Sequence, residues 1–159
     1  MNIFYLHKDP KICAHMHCDK HVCKMIIEYA QMLSTAHRVL DEKPISERFY
    51  KLAHINHPST IWTRTVSANY QWLYSLWSFL CGEYTERYGK EHLTEIKLRD
   101  ILWQTPKNIP FSKYTTEIPQ CMPDDVKTNN PLDAYHNFYR KYKTFAKWKY
   151  TETPRFMEI

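Results

Sequence analysis

Six polar side chains recur at steps of three and four residues between Asp19 and Leu40, in a stretch that is otherwise mostly apolar. They are His21, Lys24, Glu28, Gln31, Thr35 and Arg38. In an α-helix this spacing places all six on one stripe. An amine, a carboxylate and an imidazole on one stripe could transfer protons or bind a polar ligand; a solvated stripe on a core helix is the alternative. The rest of the segment predicts a helix that is buried on most sides, through Val22, Met25, Ile26, Ile27, Tyr29, Ala30, Met32, Leu33 and Ala36.

Lys24 and Glu28 stand four residues apart on this stripe. On an exposed helix such an ion pair contributes only about 0.3–0.5 kcal/mol. In a partly desolvated groove the two groups would instead perturb each other's protonation. We expect His21, one turn earlier, to add a group that titrates near neutral pH.

A cluster of cysteines and histidines lies between residues 13 and 23 and raises the question of zinc. Its members are Cys13, His15, His17, Cys18, His21 and Cys23. The spacing contains no CxxC, no HExxH and no second pair at zinc-finger distance. We therefore predict no metal and no cofactor, and we interpret the cysteines as reduced core residues.

Two further patterns are typical of anion binding. His57 and Pro58 precede two hydroxyl residues at an expected helix start, with Arg64 one turn inside, which suits either an anion or simple capping. The C-terminal region interleaves aromatic residues with Arg140, Lys141, Lys143, Lys147 and Lys149. This alternation favours phosphate contacts with stacking, and a solvated helix end explains the charges as well.

The 159 residues suffice for one domain with a core of its own. Two glycines argue against tight hairpins and phosphate loops, and the net charge of +5 is compatible with an anionic partner. The short apolar start is too brief for a signal peptide, and no run reaches the roughly 18 residues of a membrane span. Together with the odd number of cysteines, this predicts a reduced cytoplasmic protein without membrane contact.

The predicted fold is all-α, a compact single-domain helical bundle over 1–159, with a basic and aromatic tail at 145–159. A long irregular Pro-rich segment, from Thr105 to Asn130, precedes the last helix. The predicted elements are an extended or strand segment at Asn2–Leu6, a short helix at Pro10–Met16, and a long helix capped by Asp19. After a helical turn near Ser46–Ala53, we expect helices from Ser59 or Thr60, from Ser67 to Tyr88 before Gly89, from Lys90 to Gln104, and from Pro131 to Thr144. The candidate core residues of the Lys90–Gln104 helix are Leu93, Ile96, Ile101, Leu102 and Trp103.

Two motifs together resemble a known family. Lys24, Glu28, Gln31 and Leu33 form the pattern KxxxExxQxL, and His57, Pro58 and Trp62 form HPxxxW about thirty residues later. This combination resembles the pyrimidine-dimer DNA glycosylases, the endonuclease V-like family. The longer stretch from His17 to Arg38 looks like uncharacterised phage-encoded members, and the motifs cover residues 1–95.

The resemblance implies a helical DNA-binding enzyme whose N-terminal amine attacks the sugar C1′ of a damaged nucleotide. A helix-borne glutamate assists, and the strand is cleaved through an imine. Glu28, seven residues after His21, matches that glutamate. Those enzymes expose a threonine amine after methionine removal. Here Asn2 is a bulky second residue, so Met1 is expected to stay and carry the amine.

We therefore predict a DNA glycosylase/AP-lyase acting on damaged or modified pyrimidines in duplex DNA, in the cytoplasm of a bacterial host if phage-encoded. The catalytic group comprises Glu28, Lys24, His21 and Met1. Gln31, Arg38, His57, Arg64 and the five basic residues between 140 and 149 would contact DNA. The alternatives are a non-catalytic phage accessory protein that binds nucleic acid or a host protein, and a nucleotide-modifying enzyme using the same cleft.

Overall fold

The computed structural model describes residues 1–158 and contains six α-helices, with no strand among those residues. The helices are α1 (Pro10–Met16), α2 (Asp19–Leu40), α3 (Pro58–Thr65), α4 (Ser67–Tyr88), α5 (Leu93–Leu102) and α6 (Pro131–Tyr142). Short 3₁₀ turns lie at Asp124–Val126 and Arg155–Glu158. The predicted all-α class is confirmed.

Local capping chemistry accounts for most helix ends. The Asp9 carboxylate accepts a hydrogen bond from the Lys11 amide at the start of α1. At the start of α6 the side chain of Asn130 accepts a hydrogen bond from the Leu132 amide. Gly89 ends α4 in the left-handed conformation at φ +71°, which costs glycine little. The capping role predicted for Asp19 is wrong, because Cys18 occupies the N-cap position and makes no side-chain cap hydrogen bond.

Helix α2 is the central element and packs against α3, α4 and α5. Most of its predicted core residues are buried, but Ile27 is 41% exposed. Seven residues make nearly two turns, so Ile27 lies on the same exposed side as Lys20. Thr35, predicted on the open stripe, is fully buried, and its hydroxyl accepts a hydrogen bond from the Ala53 amide. The polar stripe is therefore open over only part of its length.

Helix α5 is shorter than predicted, and its core was predicted only in part. Its buried residues are Leu98 and Leu102, four apart; Leu102 was predicted, whereas three other predicted core residues are mostly exposed. These three are Leu93, Ile96 and Trp103. The helix covers its neighbours with one narrow stripe, so apolar residues off that stripe remain in water. The helical turn expected near Ser46–Ala53 is also absent, since that segment is irregular.

Three non-helical segments complete the core. The N-terminal segment forms no strand; it lies under α2, with Phe4 buried and its amide donating to the Tyr29 hydroxyl at 3.2 Å. The Pro-rich segment is irregular as predicted and packs on the helices, where the Thr116 amide donates to the Asn69 side chain. The C-terminal tail packs as well, with Trp148 buried and its indole N–H donating to the Met16 carbonyl.

A buried arginine fixes the corner between α1 and α2. The Arg87 guanidinium donates to the carbonyls of His15 and His17 and pairs with the carboxylates of Asp19 and Glu83. Its side chain is almost entirely buried, so these four partners compensate its charge. The start of α2 is thereby fixed relative to α4.

Candidate functional site

A cleft of about 460 Å³ opens between the N-terminal segment, the first three turns of α2 and the end of α6. It is lined by Met1, Asn2, Phe4, Lys20, His21, Lys24, Met25, Glu28, Lys143 and Phe145. All four predicted catalytic residues are in this set. Residues from the two ends of the chain therefore meet on one face of α2.

Glu28 holds two amines at the floor of the cleft. Its Oε1 lies 3.5 Å from the α-amino nitrogen of Met1, and its Oε2 lies 3.7 Å from Nζ of Lys24. The Glu28 side chain is only 17% exposed, whereas that of Lys24 is 71% exposed. The Met1 side chain is 2% exposed, so its burial anchors the neighbouring amine. One carboxylate thus bridges two primary amines inside a concave site.

His21 differs from its prediction, because it does not titrate near neutral pH. Burial, followed by the charges of Lys143 and Lys24 among its neighbours, lowers its pKa to about 2. The ring stacks on Phe4 at 4.1 Å, and its Nδ1 lies 2.5 Å from the Tyr139 hydroxyl. His21 is therefore an uncharged wall of the cleft and cannot tune Glu28 by its own charge at neutral pH.

Two further lysines face the cleft. Lys143 follows the last residue of α6 as its C-cap, and its Nζ lies 4.6 Å from the centre of the Phe138 ring. The Nζ of Lys20 lies 4.9 Å from the centre of the Phe145 ring. Burial, and then the charge of Lys24, lowers the pKa of Lys143. The pKa of Lys143 is lowered because its ammonium group is partly removed from water and lies near another positive charge, which disfavours the protonated form.

The helical register of α2 explains why these groups converge. Lys20, Lys24 and Glu28 follow one another at steps of four, which places them along one side of the helix. The N-terminal segment is held against the same side, with the Asn2 side-chain amide donating to the Cys121 carbonyl at 2.8 Å. Because the N-terminal segment is held in this position, the amine of Met1 lies beside Glu28.

The remaining stripe residues lie outside the cleft. Gln31 is half-buried one turn beyond Glu28 and is not among the lining residues. The Arg38 guanidinium donates to the backbone carbonyls of Phe49 and Tyr50, at 2.6 and 2.7 Å. The DNA contact predicted for Arg38 is therefore not favoured, because its donors hold a loop.

His57 lies close to the cleft, and Arg64 does not line it. Burial, followed by the positive α-amine of Met1, lowers the pKa of His57, while Glu28 acts in the opposite direction. Its Nδ1 accepts a hydrogen bond from the Ser59 amide, so His57 is the N-cap of α3 and the capping interpretation holds. Arg64 has a buried Nη1 without a hydrogen-bond partner among residues 1–158, and burial lowers its pKa.

The basic residues near the C terminus divide into internal and exposed groups. Arg140 donates to the Phe156 carbonyl and to the Asn137 side chain. Lys141 pairs with Asp125, which also accepts a hydrogen bond from the Tyr142 hydroxyl. Lys147 and Lys149 are exposed beside the start of α2, where backbone groups of both contact Asp19. Only these two and Lys143 remain available to a ligand.

The cysteine and histidine cluster does not converge. Cys13 and Cys18 are buried free thiols, and burial raises the pKa of Cys13 to about 12. His17 donates through Nδ1 to the Cys13 carbonyl, and its Nε2 accepts from the Tyr29 hydroxyl, both at 2.8 Å. Burial lowers the pKa of His17 to about 4. Within residues 1–158, no three His, Cys, Asp or Glu side chains are grouped so that they could hold a metal ion.

Sequence reasoning missed five of the lining residues: Asn2, Phe4, Lys20, Met25 and Phe145. Lys20 could have been found, because it stands four residues before Lys24. Phe4 and Phe145 carried no such signal, since their positions depend on how both chain ends pack on α2. The aromatic part of the cleft is therefore a product of tertiary structure.

None of the six helices, over residues 1–158, is long and apolar enough to cross a membrane. No family model, no curated protein and no solved structure matches this chain.

Proposed function

We propose that this protein is a DNA-acting enzyme of the glycosylase/AP-lyase class that removes damaged or modified pyrimidines. The observation that carries the proposal is the contact of Glu28 with two primary amines, those of Met1 and Lys24, at the floor of a cationic cleft. A largely buried carboxylate beside an amine suits covalent catalysis at a sugar carbon. A pure binding surface would not require the carboxylate, because it opposes an anionic ligand.

The chemistry would proceed through an imine. The attacking amine, of Met1 or of Lys24, forms a bond to C1′ as the C1′–N bond to the base breaks and the base leaves with its electron pair. The amine loses its protons to Glu28 and solvent, and the sugar ring opens to give a C1′ imine. Loss of a C2′ proton then expels the 3′ phosphate, and water hydrolyses the imine to release the enzyme.

Each neighbouring residue has a defined task in this scheme. Glu28 accepts the proton from the attacking amine and, before that, stabilises positive charge developing on the sugar. The uncharged His21 and the ring of Phe4 exclude water from one side of the cleft. Low water access strengthens the electrostatic effect of Glu28 on the reacting atoms.

The test is cleavage of ultraviolet-irradiated and abasic duplexes, with borohydride added to trap an imine. We expect a stable protein–DNA adduct, and peptide mass spectrometry should place it on residue 1 or Lys24. Intact mass of the purified protein identifies its first residue independently. Cleavage without any adduct would replace the amine by water as nucleophile, and no cleavage of any damaged duplex would reject the proposal.

A second candidate is a nucleotide-modifying enzyme that uses the same cleft on a small substrate. It is favoured by the cleft volume of about 460 Å³, which is sufficient for one nucleotide, and by the internal pairing of Arg140 and Lys141. This candidate predicts turnover of free nucleotides and weak binding to duplex DNA. Binding of DNA without turnover of either substrate would instead indicate an accessory protein.

A further inference from the structure

The charges that line the cleft do not balance. Four cations are present, Lys20, Lys24, Lys143 and the α-amine of Met1, against the single carboxylate of Glu28. Glu28 is already in contact with two of the four. Neither Lys20 nor Lys143 forms an ion pair with any carboxylate of residues 1–158. The cleft therefore carries an excess of about three positive charges.

Two lysines near Lys143 in the sequence are paired with carboxylates. Lys141, only two residues before Lys143, pairs with Asp125, and Lys127 pairs with Asp124 at 2.9 Å. Lys143 is the contrasting case, because it is half-buried and its Nζ lies 5.5 Å from the centre of the Phe4 ring and 4.6 Å from that of Phe138. Rings attract a cation weakly compared with a carboxylate in low dielectric. A half-buried lysine of this kind gains most from an anion supplied by a ligand.

The aromatic residues add a second requirement on that ligand. Phe145 is 41% exposed at the edge of the cleft, with the His21 ring edge-on at 5.6 Å. The Lys20 ammonium lies over this ring, so a phosphate bound there would be adjacent to an exposed aromatic surface. Planar heteroaromatic groups stack on such surfaces. A phosphate together with a base satisfies both features.

We propose that Lys20, Lys24 and Lys143 form a subsite for a phosphate group of a nucleotide, with the base of that nucleotide stacked on Phe145. The inference rests on the proposed function in taking this cleft as the substrate site, and it names which residues select the substrate. Either a nucleic-acid strand or a free mononucleotide could supply the phosphate. Lysine ammonium groups contact phosphate as point charges, so a monoester or a diester can bind.

The experiment compares a pyrimidine nucleoside, its 5′-monophosphate and a short single-stranded oligonucleotide by NMR titration of the protein. We expect the monophosphate or the oligonucleotide to bind at least tenfold more tightly than the nucleoside. Lys143→Gln should weaken that binding by about 10- to 100-fold, the effect of losing one charged contact. Lys143→Arg should retain most of the affinity because the charge remains.

Lys141→Gln is the matched control, since Lys141 is exposed nearby but already paired with Asp125. It should leave all three affinities unchanged, and circular dichroism should confirm that every variant is folded. Tight binding of the monophosphate identifies a free or terminal phosphate as the source, whereas binding of the oligonucleotide alone identifies the strand. Equal losses in Lys143→Gln and Lys141→Gln, or no preference over the nucleoside, would overturn the subsite.

These outcomes are independent of DNA cleavage. A phosphate subsite that depends on Lys143, in a protein that cleaves no damaged duplex, would retain the subsite and reject the glycosylase proposal. Cleavage of a damaged duplex together with binding that is insensitive to Lys143→Gln would support the glycosylase proposal and reject the phosphate subsite.

Discussion

The two ends of α2 both border large cavities, and they differ in how their charges are compensated. The N-terminal end of α2, called the near end below, borders the cleft of about 460 Å³ that contains Glu28 and several cations. The C-terminal end, called the far end, borders a larger cavity of about 580 Å³ that is lined by His37, Asp41 and the segment 42–46. The larger cavity is the weaker candidate for chemistry.

At the far end His37, Tyr70 and Asp41 have partners within the protein. His37 contacts the Tyr70 hydroxyl through Nε2 at 2.8 Å and Asp41 through Nδ1 at 3.4 Å. The Tyr70 hydroxyl donates to the Leu102 carbonyl, and Asp41 also accepts from the Asn108 amide. Because each group is satisfied internally, a ligand entering this cavity would displace existing bonds. The network connects α2 to α4 and stabilises their packing.

At the near end, cations and one carboxylate converge with few internal partners. That arrangement lowers stability unless a ligand contributes the missing charge, which is typical of functional sites. The difference between the two ends shows that uncompensated charge, rather than cavity size, distinguishes the candidate site here.

The largest expected effect is on catalysis. Glu28→Gln should reduce DNA cleavage by about 10²–10⁴-fold, because the amide keeps the shape but cannot accept a proton. The matched control is Glu42→Gln, which alters a carboxylate at the far cavity. Single-turnover cleavage of an abasic duplex measures both. Full activity in Glu28→Gln would remove this residue from the mechanism.

Acidification should destabilise the near end first. His17 and His21 have pKa values lowered to about 4 and about 2, so below pH 6.5 the unfolded chain binds protons that the native protein does not. The contribution of each histidine to the free energy of unfolding is fully present above about pH 6.5, the histidine pKa in the unfolded chain. It is lost progressively as the pH falls toward the lowered pKa of the folded protein. Between pH 7 and pH 5 each histidine should cost about 2 kcal/mol of unfolding free energy, measured by urea denaturation. In His21→Phe the loss between pH 7 and pH 5 should be smaller by about 2 kcal/mol. An unaltered pH dependence would mean that the pKa of His21 is not lowered in the native protein.

The far end should respond in stability and leave function intact. Tyr70→Phe removes the hydroxyl that joins His37 to the Leu102 carbonyl, at a cost of about 1–3 kcal/mol. Binding and cleavage of DNA at 25 °C should be unaffected. Urea denaturation and the cleavage assay together check this expectation, and a specific loss of activity in the folded variant would move the functional site to the far cavity.

The smallest expected effect concerns the tail. Replacing Lys147 and Lys149 by alanine should reduce the slope of log affinity against log salt for duplex DNA by about 2, since each phosphate contact contributes about 0.9. Lys141→Ala should leave the slope unchanged because Lys141 is paired with Asp125. Titrations at several salt concentrations provide the slopes. An equal change in both variants would show that pairing with Asp125 does not remove Lys141 from DNA contact.

Local sequence signals predicted much of the helical framework. The Asp-Pro and Asn-Pro pairs fixed the starts of α1 and α6, because capping depends on atoms two or three residues apart. The α5 core was predicted only in part: Leu102 is buried as expected, but Leu93 and Ile96 are exposed. They are as apolar as Leu98, and only packing decides which of these residues is covered. The resemblance to pyrimidine-dimer glycosylases stays a prediction.

For the candidate site, the sequence by itself determined the neighbours on α2. Lys24 and Glu28 share a side of the helix wherever that helix lies, because helical geometry fixes their spacing. Tertiary structure alone decided that the Met1 amine and Lys143 join them, and that His21 is buried without charge. Contacts between residues 1, 28 and 143 depend on how distant segments pack, and desolvation of an imidazole depends on that packing too.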